Sequence, residues 1–498
     1  MKIFLALLFL FLLSNTFAAR TGEEEKDKSV HRVMVISLDG FGHNYLTKYD
    51  FQHLNQLFLH GSYPEVFRNQ FITKTFPNHF SMATGVYEET HGVVANVMYD
   101  PDLDKTLHHD DEEFFTQNPG IIPIWTLNEE HGGHTACLMW PGCDKTYRGR
   151  NVTYWTPYRE DATFRESIDK AVEWMTDATT PANLVFLYVQ EPDTVGHAYG
   201  PNSSYVVEEL KKIDENIGYL YKMLTIFNLL DTTDVIVLSD HGMVAVLEEN
   251  IIDLDQIVDP KLYHTSGGSP VMHIWPYGDL LDLYIKFDNG AKTHKYTVYQ
   301  KKNFPSGWHY TNNSRISRLV LVADVGYVFQ DWKGSIENYK KKGLPGLTNT
   351  FGDHGYPTNT SEMEPIFVAA GPSFKRGFKA PSFSNVDVYP LLCHLLSLPP
   401  GPNNGTLKDI GTVLSHPAVA ELAKPLLIAL GCLVILVGLI GILACVLSRR
   451  DRRAVSADSL INGYVHRRVM RSESSKLADD DASEEECLLE SEVVTVEL

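Results

Sequence analysis

Three apolar segments of strand length, each leading into an acidic residue, constrain this chain more than any other feature. Val33 to Leu38 runs into Asp39. Leu184 to Val189 runs into a turn with Asp193 and His197, and Val235 to Leu238 runs into Asp240 and His241. Short runs rich in β-branched and apolar residues, bounded by turn signals, read as buried strands. Helical patterns lie between them, at Ala162 to Met175 and Tyr205 to Leu229. Alternating buried strands and helices predict an α/β fold: a central, mainly parallel sheet flanked by helices. Ligands of such sheets bind beyond the carboxyl ends of the strands, where these charges fall.

A lone Asp after a strand is usually a turn residue or a helix cap. Two further strand ends that pair Asp with His point instead to metal ligation, since carboxylate and neutral imidazole are good zinc ligands. Asp193 and His197 are four residues apart, so one helical turn puts both on one side. Asp240 and His241 are adjacent and diverge. A late Asp353-His354-Gly355 supplies another imidazole, and the collection suits two metal ions. In FITKTFPNHFSMATG, Pro77 is placed for a first helical turn. Thr75 therefore sits at a predicted helix N-terminus, where N–H groups and the dipole favour anions. Taken alone it would be a plain N-cap. As a nucleophile an alcohol needs a metal or a base.

Size and composition set the surroundings. The 498 residues are 44% hydrophobic with a net charge of −20, and no basic face precedes the C-terminal region, so duplex nucleic acid is not an expected partner. Residues 1–19 have a signal-peptide pattern. Residues 20–30 are polar and read as a spacer. Residues 31–411 form the expected catalytic domain, with a more strand-like insertion at about 260–342. Leu426 to Leu447 is apolar and long enough to cross a bilayer, and Arg449, Arg450, Arg452 and Arg453 mark a cytoplasmic side. The expectation is a single-pass type I membrane protein with its catalytic domain extracellular or lumenal. Glycosylation sequons at Asn151, Asn202, Asn312, Asn359 and Asn404 all precede that span. In the tail, 448–498, Glu484, Leu488 and Leu489 fit an acidic dileucine spacing that an endocytic adaptor reads. Cys137 and Cys143 either pair across a loop or stay as buried thiols; three lumenal cysteines make no disulfide scaffold.

The strings SLDGF, FITKTFPNHFSMATGVYEETHGVVAN, MWPG, QEPDTVGHAYGP, SDHGM and GDHGYP, in this order, resemble the ectonucleotide pyrophosphatase/phosphodiesterase family of the alkaline phosphatase superfamily. The similarity spans roughly His31 to Gly411, and the single-domain layout looks most like the fourth and fifth members. The resemblance implies an alkaline-phosphatase-like sheet and two zinc ions. One would be held by Asp193, His197 and His354, the other by Asp39, Asp240 and His241, with the nucleophile Thr75 touching it. It implies that Asn96 and the Phe76 N–H donate to phosphate oxygens, and that Phe76 and Tyr158 sandwich a nucleobase. The implied activity is hydrolysis of dinucleoside polyphosphates and nucleoside triphosphates through a phosphothreonine, releasing a nucleoside monophosphate. The chain departs from the family pattern at Gly42, where an Arg is common, and at Gln190, where an acidic residue is common. A choline-lipid phosphodiesterase and a catalytically weak recognition protein are the competing expectations. A sulfatase is disfavoured because residues 73–79 lack the C/S-x-P-x-R string.

Overall fold

The computed structural model describes residues 31–415, 432–433 and 435–449. Residues 31–415 belong to one compact unit and the described residues from 432 on to another. The expected leader at 1–19, the spacer and nearly all of the tail lie outside the described residues.

The three apolar runs pair with one another. In chain order the strands of the central sheet are β1 (Arg32–Leu38), β2 (Ser62–Pro64), β3 (Thr135–Leu138), β4 (Tyr154–Thr156), β5 (Leu184–Val189), β6 (Thr233–Leu238), β7 (Phe367–Ala370) and β8 (Phe378–Ala380). They form an 8-stranded sheet in the order β8-β2-β7-β6-β1-β5-β3-β4. β1 runs parallel to both β5 and β6, while β7 is antiparallel to both its neighbours. The sheet is thus mainly parallel, as expected.

Side chains alternate between two covered faces, which is why these strands are apolar throughout rather than at every second residue. Val33, Val35, Leu184, Phe186, Ile236 and Leu238 pack on one side with Phe80 and Ala83 of helix α1 (Thr75–Thr84). Met34, Ile36, Val185, Leu187 and Val237 pack on the other, against α2 (Phe164–Met175) and the long α4 (Ser204–Ile226). Between these two in sequence lies the short α3 (Asp193–Tyr199). A capping box of Thr163 and Glu166 starts α2, and the Ser203 hydroxyl caps α4 by accepting from the Val206 N–H.

The expected insertion is an antiparallel four-stranded sheet, Tyr263–Gly268, Val271–Pro276, Leu319–Ala323 and Tyr296–Gln300 in spatial order. Leu283 and Phe287 of the helix Leu280–Ala291 cover it. After it, Thr350–Asp353 pairs antiparallel with Val244–Leu247, bringing Asp353 opposite Val244. All five sequon asparagines are exposed, as a glycan requires.

Residues 432–433 and 435–449 are helical and exposed. Among the described residues no helix is long and apolar enough to cross a membrane. The spanning helix expected over 426–447 therefore gains no support. The reason is partial coverage of that span: 426–431 and 434 lie outside the described residues.

Arg315 ties the insertion to the segment 92–114 that follows α1. It is 1% exposed. Its Nε donates to Asp100 Oδ2 at 2.8 Å, and its Nη atoms donate to the carbonyls of Gly92, Phe114 and Glu113. Arg315→Met takes the donor from Asp100 Oδ2 and from the carbonyls of Gly92, Phe114 and Glu113. It is predicted to destabilise the domain by about 3–5 kcal/mol, read as a lower urea midpoint.

Candidate active site

The site is assembled by strand register. Leu38 lies beside Val189 and Ser37 beside Leu238, so β1, β5 and β6 end level with one another. Asp39 follows β1, Asp240 follows β6, and Asp193 opens α3 after a short turn from β5. Asp193 N–H donates to the Asp39 carbonyl at 3.1 Å. That closeness explains Gly40. Its φ is +68°, and a Cβ there would stand 3.0 Å from the Asp193 Cα. His197 falls one helical turn after Asp193, as the spacing predicts, and the two side chains meet at 3.3 Å. His354 arrives from far along the chain, carried in by the pairing of Asp353 with Val244.

The three imidazoles share one orientation. The Nδ1 atoms of His197, His241 and His354 lie 2.7, 2.9 and 2.9 Å from the carbonyl oxygens of Gly352, Gly242 and Thr73. A carbonyl only accepts, so each neutral ring donates from Nδ1 and presents a bare lone pair at Nε2. Those lone pairs face carboxylates. His241 Nε2 is 3.0 Å from Asp240 Oδ2 and 3.4 Å from Asp39 Oδ1. His354 Nε2 is 3.6 Å from Asp193 Oδ1. All three of these oxygens are buried without a hydrogen-bond partner. Acceptors converging on acceptors are unfavourable unless a cation or a proton lies among them. The donor set fits divalent metal ions. Asp39, Asp240 and His241 form one group, and Asp193, His241 and His354 another, each with its candidate ligand atoms within 4.8 Å of one another.

Asp353 also lies near His197 and His354, but its oxygens are occupied. Oδ1 accepts from Lys74 Nζ at 3.2 Å and the His354 N–H at 2.8 Å, and Oδ2 from Trp332 Nε1 at 2.8 Å. It acts as a bracket for His354 rather than as a ligand.

The electrostatics follow from burial and crowding. Burial, then the neighbouring Asp240 and Asp193, push the Asp39 carboxyl well above the usual range. Burial also raises Asp193. Burial would raise Asp240 too, but His241, His79 and the Gly40 N–H outweigh it and hold that carboxyl down to about 2. Burial opposes a charge on His241, yet Asp240 overrides it and raises that imidazole. Burial, with His241, Lys74 and His197 around it, keeps His354 neutral, well below its ordinary value.

Thr75 is the first residue of α1, as predicted, but it is no cap: Lys74 takes the N-cap position. Thr75 Oγ1 points instead to His241 Nε2, at 3.3 Å. The Phe76 N–H, expected to be open for a phosphate, donates to Asn96 Oδ1 at 3.1 Å. A donor in the first helical turn needs an acceptor, and the Asn96 carbonyl is within reach. That bond fixes the amide so that Asn96 is left with its NH2 to offer. Thr75, Phe76, Asn96, Asp39 and Asp193 line a cavity of about 650 Å³ that Tyr158 and Trp155 also wall.

Several participants carried no local signal. The Tyr188 hydroxyl donates to Asp39 Oδ2 from within β5. His79 reaches Asp240 Oδ2 at 3.4 Å and is steadied by Ser37 at 2.8 Å. His109 stacks on Phe76 with ring centroids 5.2 Å apart. Cys137 and Cys143, left open by the sequence, form a disulfide in the cavity wall.

A family model described as type I phosphodiesterase / nucleotide pyrophosphatase matches residues 33–357. The bis(5'-adenosyl)-triphosphatase enpp4 of Xenopus laevis is 34% identical over 437 residues, covering 88% of this chain and 92% of that protein. Ectonucleotide pyrophosphatase/phosphodiesterase family member 5 of Homo sapiens is 36% identical over 411 residues, covering 81% of this chain and 80% of that protein. Murine ectonucleotide pyrophosphatase / phosphodiesterase 5, solved as an inactive threonine-to-alanine variant in complex with AMP, matches with a TM-score of 0.70 and 36% identity. That match covers 77% of this chain and 100% of the murine one.

Cation binding should depend on pH with a definite sign. Asp39, Asp193 and His241 all have raised values, so the cation-free site holds protons that an incoming cation displaces. Affinity for divalent cations is therefore predicted to rise from about pH 5.5 to about pH 7.5, with proton release visible as a buffer-dependent heat in titration calorimetry. Chelation should lower Tm and readdition restore it. An affinity flat across that range contradicts this electrostatic picture.

Proposed function

The chain belongs to the type I phosphodiesterase/nucleotide pyrophosphatase family and is a hydrolase, and on that premise we propose that it cleaves phosphodiester and pyrophosphate bonds of extracellular nucleotides with Thr75 as nucleophile. The observation that carries this reading is the placing of the Thr75 hydroxyl at the start of α1. There it lies 3.3 Å from His241 Nε2, where the unpartnered carboxylate oxygens converge, and opens on the aromatic-walled cavity. Support for a nucleotide comes from the relatives: one is a bis(5'-adenosyl)-triphosphatase, and another was solved with AMP.

Zinc suits a set of carboxylates and neutral imidazoles. Asp193, His197 and His354 would hold one ion, and Asp39, Asp240 and His241, with Thr75 Oγ1, the second. Ions there would supply Lewis acidity for the phosphoryl group and ease ionisation of the hydroxyl. The chain's own residues do the rest. Thr75 Oγ1 bonds to phosphorus as the bond from phosphorus to the leaving oxygen breaks and the hydroxyl proton passes to the departing group, giving a phosphothreonine that still carries the nucleoside as a diester. Water then cleaves that ester, restoring the hydroxyl and releasing a nucleoside monophosphate. The Asn96 NH2 donates to a phosphate oxygen as charge builds on it. Phe76 and Tyr158 wall the space for a nucleobase. The Cys137–Cys143 disulfide and the exposed sequons support an extracellular or lumenal catalytic domain.

Thr75→Ala is predicted to lower turnover of diadenosine triphosphate by at least about a thousandfold, with cation content unchanged. Thr75→Ser should keep a measurable fraction and trap the adenylyl group on the serine after an acid quench. Near-wild-type turnover by Thr75→Ala ends the covalent reading. Faster hydrolysis of lysophosphatidylcholine than of the dinucleotide by the wild type replaces the nucleotide class with the choline-lipid one.

A further inference from the structure

The tyrosine wall of the cavity is held by one side chain. Tyr158 lies in the stretch after β4, a short edge strand, and is 54% exposed. Residues 157–161 belong to no helix or strand. The ion pairs around them, Lys342 with Glu160 and Arg159 with Glu166, are exposed and worth little. The firm tie is Gln190. Its Nε2 donates to the Glu160 carbonyl at 2.9 Å, and its Oε1 accepts from the Tyr158 hydroxyl at 2.6 Å. The Glu160 carbonyl can only accept, so the amide has one orientation and the tyrosine must be the donor. Gln190 follows the last residue of β5 directly, and β5 is buried between β1 and β3. The amide thus transfers the rigidity of the sheet to an otherwise loose aromatic wall.

We propose that Gln190 is a positioning residue that clamps Tyr158 and Glu160 to the end of the central sheet, and so sets the preference of this site for substrates bearing a flat ring. A carboxylate at 190 cannot do both jobs, because its second oxygen would face the Glu160 carbonyl, acceptor against acceptor. This inference rests on the reading of Tyr158 as a wall for the nucleobase, and the test separates the two.

The experiment compares kcat and KM for the p-nitrophenyl ester of thymidine 5'-monophosphate with those for methyl p-nitrophenyl phosphate, which has the same leaving group and no base. Variants are Gln190→Met, Tyr158→Phe, their combination, and Tyr158→Ala, with Tm as the check on folding. Gln190→Met and Tyr158→Phe should each lower the preference for the nucleotide ester, as the ratio of the two kcat/KM values, by about 3–10-fold. The fall should reside in KM. The combination should be no worse than the stronger single variant, because Gln190→Met already removes the bond that Tyr158→Phe removes. If Tyr158→Ala weakens the nucleotide ester while Gln190→Met does not, the role of Gln190 is overturned and the stacking reading stands. Multiplying effects in the combined variant also overturn the clamp. A wild-type preference in Tyr158→Ala removes the stacking reading and this inference with it.

Discussion

Imidazole lone pairs aimed at carboxylate oxygens are the constraint on which the rest of this structure depends. Backbone carbonyls take the Nδ1 hydrogens of His197, His241 and His354. None of the three neutral rings then donates into the space where Asp39 Oδ1, Asp193 Oδ1 and Asp240 Oδ2 lie buried. Such a cluster is costly in a protein interior. It becomes favourable when divalent cations supply the missing positive charge, and the same charge is what a phosphoryl group needs.

The fold holds this arrangement from several sides. Level ends of β1, β5 and β6 supply the aspartates, and the pairing of Val244 with Asp353 supplies the distant histidine. Around them stands a shell of fixed groups: Tyr188 on Asp39, His79 on Asp240, and Lys74 and Trp332 on Asp353. Tyr188 and His79 limit the rotation of carboxylates that face the candidate cation positions, and the held Asp353 brackets His354, so the geometry is set before any ligand arrives. The aromatic cavity beside it is more loosely built. Its Tyr158 wall leans on one amide from the sheet.

Much of this was legible in the sequence because it is local. Val33–Leu38, Leu184–Val189 and Val235–Leu238 announce themselves as strands by composition, and the charges after them fall where an α/β sheet binds ligands. The spacing of Asp193 and His197 fixes a shared helix face, and Pro77 marks the start of α1. The roles of Lys74, His79, Tyr188 and Gln190 were not legible, because each acts through a partner tens to hundreds of residues away. Register and pairing, rather than pattern, bring those partners together. Asp353 shows the limit well. The sequence offers its neighbour His354 as a ligand and gives Asp353 no role, whereas in the fold Lys74, Trp332 and the His354 N–H occupy its oxygens. The Phe76 N–H is a similar case, since only the folded chain shows that Asn96 is its acceptor.

The most direct test of the account is anomalous diffraction from crystals of the purified catalytic domain, collected on both sides of the zinc absorption edge. The account predicts two anomalous peaks that vanish below the edge. One would lie among Asp39, Asp240, His241 and Thr75, the other among Asp193, His197 and His354, with Nε2 as the ligating nitrogen in each imidazole. A map of the folded, active protein with no anomalous density between these side chains would contradict it.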